Sequence, residues 1–276
     1  MQKYCYLNGK ILLLNQASLP LNDIGVLRGY GVFDFLRTYS GQPFQFNEHW
    51  QRFINSARCL NLKIPVSAAG ARQLLKKLMA KNNLTEATAR FVLTGGISQD
   101  SLHFNKTKPN FFIILDKIPP RQTELYQKGG KLLLVGNQRE LAPAKTNSYL
   151  TSVKFKNSPH SSQIVDLLYY DRGHILEGST CNFFLIRRNV LITPKADILA
   201  GITRNFVLKL ARKIIKVEER LVKLTELKTA DEAFITTTTK EIMPIVKISR
   251  LKIGSSRPGE KTKLLMKLFK EKTQPA

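Results

Sequence analysis

The stretch from Ala144 to Phe184 holds an amine and a carboxylate of the types that carbonyl chemistry uses. Lys145 lies in Ala144-Lys145-Thr146-Asn147-Ser148-Tyr149-Leu150, a polar, turn-rich entry. Glu177 lies in a strand-like apolar run that continues as Gly178-Ser179-Thr180-Cys181-Asn182-Phe183-Phe184. A lysine amine can form a Schiff base with a carbonyl, and a buried anion can hold a cationic ring nitrogen. Taken alone, the pair reads most simply as a surface lysine and a strand-end glutamate, because the chain carries 44 Lys+Arg.

Three other segments change that reading. Leu199-Ala200-Gly201-Ile202-Thr203-Arg204 opens a run in which Ile202, Phe206, Leu210 and Ile214 recur every four residues, the spacing of a helix. Its first turn, at Gly201, Ile202 and Thr203, leaves backbone N–H groups unpaired at the positive end of the helix dipole, where a phosphate is the natural guest. Thr236-Thr237-Thr238-Thr239-Lys240-Glu241-Ile242-Met243-Pro244 follows an apolar strand, and β-propensity alone accounts for Thr236. His49-Trp50-Gln51-Arg52 lies early, in a predicted helix.

In this order and at these distances, the set resembles the fold-type IV family of pyridoxal phosphate enzymes. That family holds the branched-chain aminotransferases, the D-amino acid aminotransferases and aminodeoxychorismate lyase. The resemblance runs from Tyr6 to Phe269, and Glu177-Gly178-Ser179-x-x-Asn182-x-Phe184 matches the family motif closely. It implies a two-domain α+β fold of the D-amino acid aminotransferase type, with pyridoxal 5'-phosphate as cofactor. By the same resemblance Lys145 is the catalytic lysine, bonding the cofactor aldehyde and shuttling a proton at the substrate α-carbon. Glu177 then keeps the ring nitrogen protonated. Arg52, Ile202, Thr203, Thr237 and Thr238 take the phosphate, and Tyr149 contacts the ring hydroxyl. Ser148 stands where relatives often carry Asn, a departure within the lysine loop.

Composition narrows the alternatives. The 276 residues suffice for two domains with separate cores, and a hydrophobic content of 43% is globular. No apolar run approaches the ~20 residues of a membrane helix. Met1-Gln2-Lys3-Tyr4-Cys5 lacks the apolar core of a signal peptide, so a cytoplasmic location is expected. Cys5, Cys59 and Cys181 are odd in number and far apart, and His49, His103, His160 and His174 are isolated. Neither a disulfide framework nor a metal site is expected. The formal charge of +24 admits a nucleic-acid-binding reading. The lysines are spread along the chain, however, no nucleic-acid-binding motif is present, and Lys261 to Lys272 reads as the solvated face of a C-terminal helix.

Mixed strands and helices without regular alternation predict two α+β domains. Asn8-Gly9 predicts a hairpin turn. Helices are expected over 47–60 and 66–82, and strands from Val32 and over 89–94 and 111–115. Pro119-Pro120 breaks the chain, and Arg121 to Gly130 reads as a polar connector. The expected division is a small N-terminal domain over 1–118, a connector over 119–130, and a larger C-terminal domain over 131–276 that carries the lysine.

The substrate is read from arginines. Most D-amino acid aminotransferases of the well-known type carry an Arg-x-His carboxylate trap, and Thr94-Gly95-Gly96-Ile97-Ser98-Gln99-Asp100 has neither residue. Arg28, inside a glycine loop, and Arg90, near the start of a strand, are the arginines placed to hold a substrate carboxylate. A less common subgroup is similar in carrying arginines in these loops, one from the neighbouring subunit, which implies a homodimer with its active site near the interface. The branched-chain enzymes use backbone donors and an apolar pocket, where an uncompensated arginine is costly. The lyases often carry a threonine where this chain has Phe35. The expectation is therefore a pyridoxal-phosphate aminotransferase moving the amino group of D-amino acids to a 2-oxo acid such as 2-oxoglutarate or pyruvate. Aminodeoxychorismate lyase, an L-branched-chain aminotransferase and, outside enzymes, a basic nucleic-acid-binding protein are the alternatives.

Overall fold

Asn8 and Gly9 take positive φ angles of 44° and 94° and turn β1 (Tyr4–Leu7) back along β2 (Lys10–Leu13), as Asn-Gly predicts. The structure is a computed structural model that describes residues 3–273, with His160 described by its backbone alone. Residues 1–2 and 274–276, which the expected domains include, lie outside the described residues.

The chain divides into two compact units, Met1–Pro119 with Ala144–Ser148, and Pro120–Pro143 with Tyr149–Ala276. In the first, α1 (Ile24–Arg28), β3 (Gly31–Tyr39), β4 (Gln42–Pro43), α2 (Phe46–Cys59), α3 (Ala68–Lys81), β5 (Thr88–Thr94) and β6 (Asn110–Asp116) follow the hairpin. The strands form a six-stranded sheet in the order β2-β1-β6-β5-β3-β4. α2 buries Phe46, His49, Trp50, Phe53, Ser56 and Ala57, residues spaced by three and four, so one stripe of the helix faces the sheet. Phe53, Phe91, Phe111, Leu36, Leu75, Leu78 and Leu93 are fully buried in that core. Ser67 starts α3 by accepting a hydrogen bond from the Gly70 N–H.

Ala144–Ser148 belongs to this first unit, where the expected division put Lys145 in the C-terminal domain. Backbone pairing explains the difference. The Phe33 N–H donates to the Lys145 carbonyl at 2.9 Å, the Asn147 N–H donates to the Gly31 carbonyl at 2.9 Å, and Val32 bridges Thr146. The segment thus adds to the start of β3, a pairing between residues more than a hundred apart.

The second unit begins with α4 (Thr123–Lys128), inside the expected connector, because Leu125 and Tyr126 pack on the second core. β7 (Gly130–Gly136), α5 (Leu150–Lys156), β8 (Asp166–Asp171), β9 (His174–Gly178), β10 (Asn182–Arg187), β11 (Val190–Pro194) and α6 (Ile202–Ala211) follow. β12 (Lys216–Arg220), β13 (Val222–Lys223), β14 (Glu232–Thr237), β15 (Glu241–Ile248), β16 (Leu251–Lys252) and α7 (Glu260–Thr273) complete it. The sheet runs β12-β11-β10-β14-β15-β7-β8-β9-β13, with β16 on β15. α6 is the crossover between the parallel strands β11 and β12. It ends at Ala211, short of the periodic Ile214. α7 buries Leu265 and Phe269 and exposes Lys263, Lys267, Lys270 and Lys272. No described helix is long and apolar enough to cross a membrane.

Candidate active site

In the first unit the chemistry-bearing residues gather where β3, α2 and Ala144–Ser148 meet. Asp34 sits in the middle of β3 at 1% exposure. Its carboxylate accepts from Arg52 Nε at 2.8 Å and Nη2 at 2.9 Å, and lies 2.6 Å from His49 Nδ1. Burial works to raise the Asp34 carboxyl, and Arg52, then His49, overcome it and hold it well below the usual carboxylate range. Burial pushes the His49 imidazole down against the opposing pull of Asp34. Arg52 is half-buried and paired, and no described residue accepts from its Nη1.

Lys145 is also half-buried, with its Nζ 4.5 Å from the centroid of the Phe33 ring. Its backbone N–H donates to Ser56 Oγ on α2 at 3.0 Å. The Arg90 guanidinium lies 5.4 Å from the same Phe33 ring and 5.3 Å from that of Phe35, the cross-strand partner of Arg90. Phe33 therefore joins Lys145 and Arg90. Arg28, by contrast, is exposed at the end of α1 and donates to the carbonyl of its neighbour Leu27.

In the second unit, Glu177 is buried on β9. Arg139 Nε donates to its Oε1 at 2.8 Å, and the Leu199 N–H donates to its Oε2 at 2.9 Å. The chain enters α6 at Ile202, three residues after Leu199. Gly201 is the N-cap and no side chain caps the helix, so the N–H groups around Ile202 and Thr203 keep their donor capacity. Asn182 Oδ1 crowds the space where a side chain at Gly201 would begin, which is why the residue is glycine. Thr237 Oγ1 accepts from the Lys240 N–H at 2.8 Å, and Thr238 stands in the turn before β15. Thr236 Oγ1 is buried without a hydrogen-bond partner among the described residues. Tyr149 is the N-cap residue of α5 and is half-buried.

Three residues of this set escaped sequence reasoning. Asp34 was visible as a carboxylate in an apolar strand, and Ser56 as a polar residue four positions after Arg52. Arg139 lies in the loop Asn137-Gln138-Arg139-Glu140, where no period or motif marks it.

The chain is similar to known proteins over nearly its whole length. Residues 31–248 match the family model for class IV amino-transferases. A Methanocaldococcus jannaschii protein named provisionally as a branched-chain-amino-acid aminotransferase is 36% identical over 276 residues, covering 96% of this chain and 95% of that protein. A D-alanine aminotransferase of Listeria monocytogenes is 31% identical over 280 residues, covering 96% and 94%. The crystal structure of the Escherichia coli branched-chain amino acid aminotransferase superposes with a TM-score of 0.90 at 25% identity, covering 99% of this chain and 95% of that one. The two-unit α+β architecture is that of fold-type IV, and the chain belongs to the class IV amino-transferase family.

Proposed function

We propose that this class IV amino-transferase takes the amino group of D-amino acids and passes it to a 2-oxo acid such as 2-oxoglutarate or pyruvate. The observation that carries the reading is Arg90. It is exposed, it has no carboxylate partner among the described residues, and it shares the Phe33 ring with Lys145. A planar guanidinium suits a carboxylate through two parallel hydrogen bonds.

Pyridoxal phosphate, the cofactor of the family, supplies an electron sink for the substrate carbon that loses its proton. The residues present fit it. The uncapped N-terminus of α6 in the second unit, and the unused Nη1 of Arg52 in the first, are each donors suited to a phosphate. In this reading Lys145 would hold the cofactor, and its amine, once displaced by the substrate amine, would move the proton at the substrate α-carbon. Glu177, oriented by Arg139 and the Leu199 N–H, takes the ring nitrogen. Arg52, Ile202, Thr203, Thr237 and Thr238 take the phosphate, and Tyr149 the ring hydroxyl.

Arg28 completes the carboxylate site from a second subunit of a homodimer. Exposed Leu21, Val26 and Leu27 beside it, and Ile97 and Leu102 on the loop that bridges Asp23, support association of that face.

Arg90→Ala tests the assignment. With D-alanine as donor, KM is expected to rise about 10- to 100-fold, the loss of a charged hydrogen bond. Unchanged kinetics would remove Arg90 from the site. The identity to the Methanocaldococcus jannaschii protein favours a second reading, an L-branched-chain aminotransferase. Turnover of L-leucine, but not of D-alanine or D-glutamate, would establish it.

A further inference from the structure

We propose that Ser56 is a positioning residue for the reaction: its hydroxyl fixes the peptide of Lys145 and so sets where the reacting amine begins. This inference rests on the assignment of Lys145 as the cofactor lysine.

The peptide groups of Lys145 are held on both sides. Its N–H donates to Ser56 Oγ at 3.0 Å, and its carbonyl accepts from the Phe33 N–H at 2.9 Å. Ser56 is 1% exposed, and the Lys145 N–H is the only hydrogen-bond partner of its side chain among the described residues. A serine in the middle of a helix ordinarily turns its hydroxyl back to the carbonyl four residues earlier. Here it reaches out to another segment instead. Alanine would suit a buried helical position better by propensity alone, so the polar atom at 56 answers to the N–H of Lys145.

The same face of α2 carries His49 and Arg52, seven and four residues earlier. Both are fixed to Asp34, the residue after Phe33. The dipeptide Phe33-Asp34 and one face of α2 therefore hold the lysine peptide and the proposed phosphate arginine in a single frame. Arg52 and Ser56 stand about 6 Å apart along the helix axis. A long, flexible lysine side chain reaches its target reproducibly only when its Cα is fixed, and a displacement of about 1 Å at a reacting group can cost about a hundredfold in rate.

The test uses the holoenzyme. Borohydride reduction followed by peptide mass analysis first identifies the lysine that carries the cofactor. Cofactor on any residue but Lys145 in the wild type overturns the assignment of Lys145, and this inference with it. With Lys145 labelled, Ser56→Ala is expected to keep the label there. It should lower kcat about tenfold or more, leave KM within about twofold, and move the pH midpoint of the cofactor's visible band. Ser56→Thr, which retains the hydroxyl, should restore both. Wild-type kcat and midpoint in folded Ser56→Ala would overturn the role of Ser56. So would a fall of kcat, cofactor content and Tm together with an unmoved midpoint, since that marks a purely structural side chain. If Ser56→Ala fails to fold, Ser56→Cys, close in size and a poor acceptor, is read by the same criteria.

Discussion

Arg139 grips Glu177 from inside the second unit: its Nη2 lies 2.7 Å from Oε1, with side-chain exposures of 11% and 7%. Nη2 also donates to the Ala142 carbonyl. The carboxylate proposed for the ring nitrogen is thus oriented by a cation and by the Leu199 N–H. Arg139→Gln strands a buried carboxylate and is expected to cost about 3–5 kcal/mol. Thermal melting of the cofactor-free protein should show Tm lower by about 6–12 °C. Arg139→Met combined with Glu177→Gln, which removes both charges, should recover part of the loss. A Tm shift below about 2 °C for the single variant would mean that the pair is weak.

Asp34 makes stability depend on acid. Its folded carboxyl is held well below the usual range by Arg52 and His49, in spite of burial. A depressed carboxyl contributes stability above the ordinary carboxylate value of about 4 and loses it as pH falls below that value. Asp34→Asn is expected to cost about 3–5 kcal/mol at pH 7, with the gap to wild type narrowing below about pH 4. Denaturant titrations across that window would show it. A gap that stays constant with pH would rule out this carboxylate as the source.

Arg52 separates phosphate recognition from the rest of cofactor binding. Arg52→Gln should weaken pyridoxal phosphate about 10- to 100-fold, the scale of one charged hydrogen bond. Pyridoxal, which lacks the phosphate, should bind as it does to the wild type. Titrations of the two compounds into cofactor-free protein provide the comparison. Equal weakening of both would show that Arg52 acts through Asp34 on the fold and not on the phosphate.

Much of this was legible in the sequence, and the remainder has a common cause. Periodicity placed α2, α3 and α6 within a few residues, because an apolar stripe must face a core. It named the buried faces but not the partners. The stripe that marks Trp50 and Phe53 says nothing of Asp34, which takes Arg52 from eighteen residues away. The motif singles out Lys145, yet the unit that holds it follows from backbone pairing with Gly31 and Phe33. α4 was read as a connector because two apolar residues in a polar stretch set up no period. Arg139 had no local signal at all, since its meaning lies in Glu177, thirty-eight residues on.

The most direct measurement is the visible spectrum of the purified holoprotein, without an acceptor, as D-alanine or D-glutamate is added and L-leucine is added in parallel. Loss of the cofactor's visible band with the D-amino acids alone is the expected result. It would establish cofactor and hand together and support Arg28 and Arg90 as the carboxylate site. Loss of the band with L-leucine alone would contradict it and make the protein a branched-chain enzyme. A band indifferent to all three amino acids would contradict the aminotransferase assignment itself.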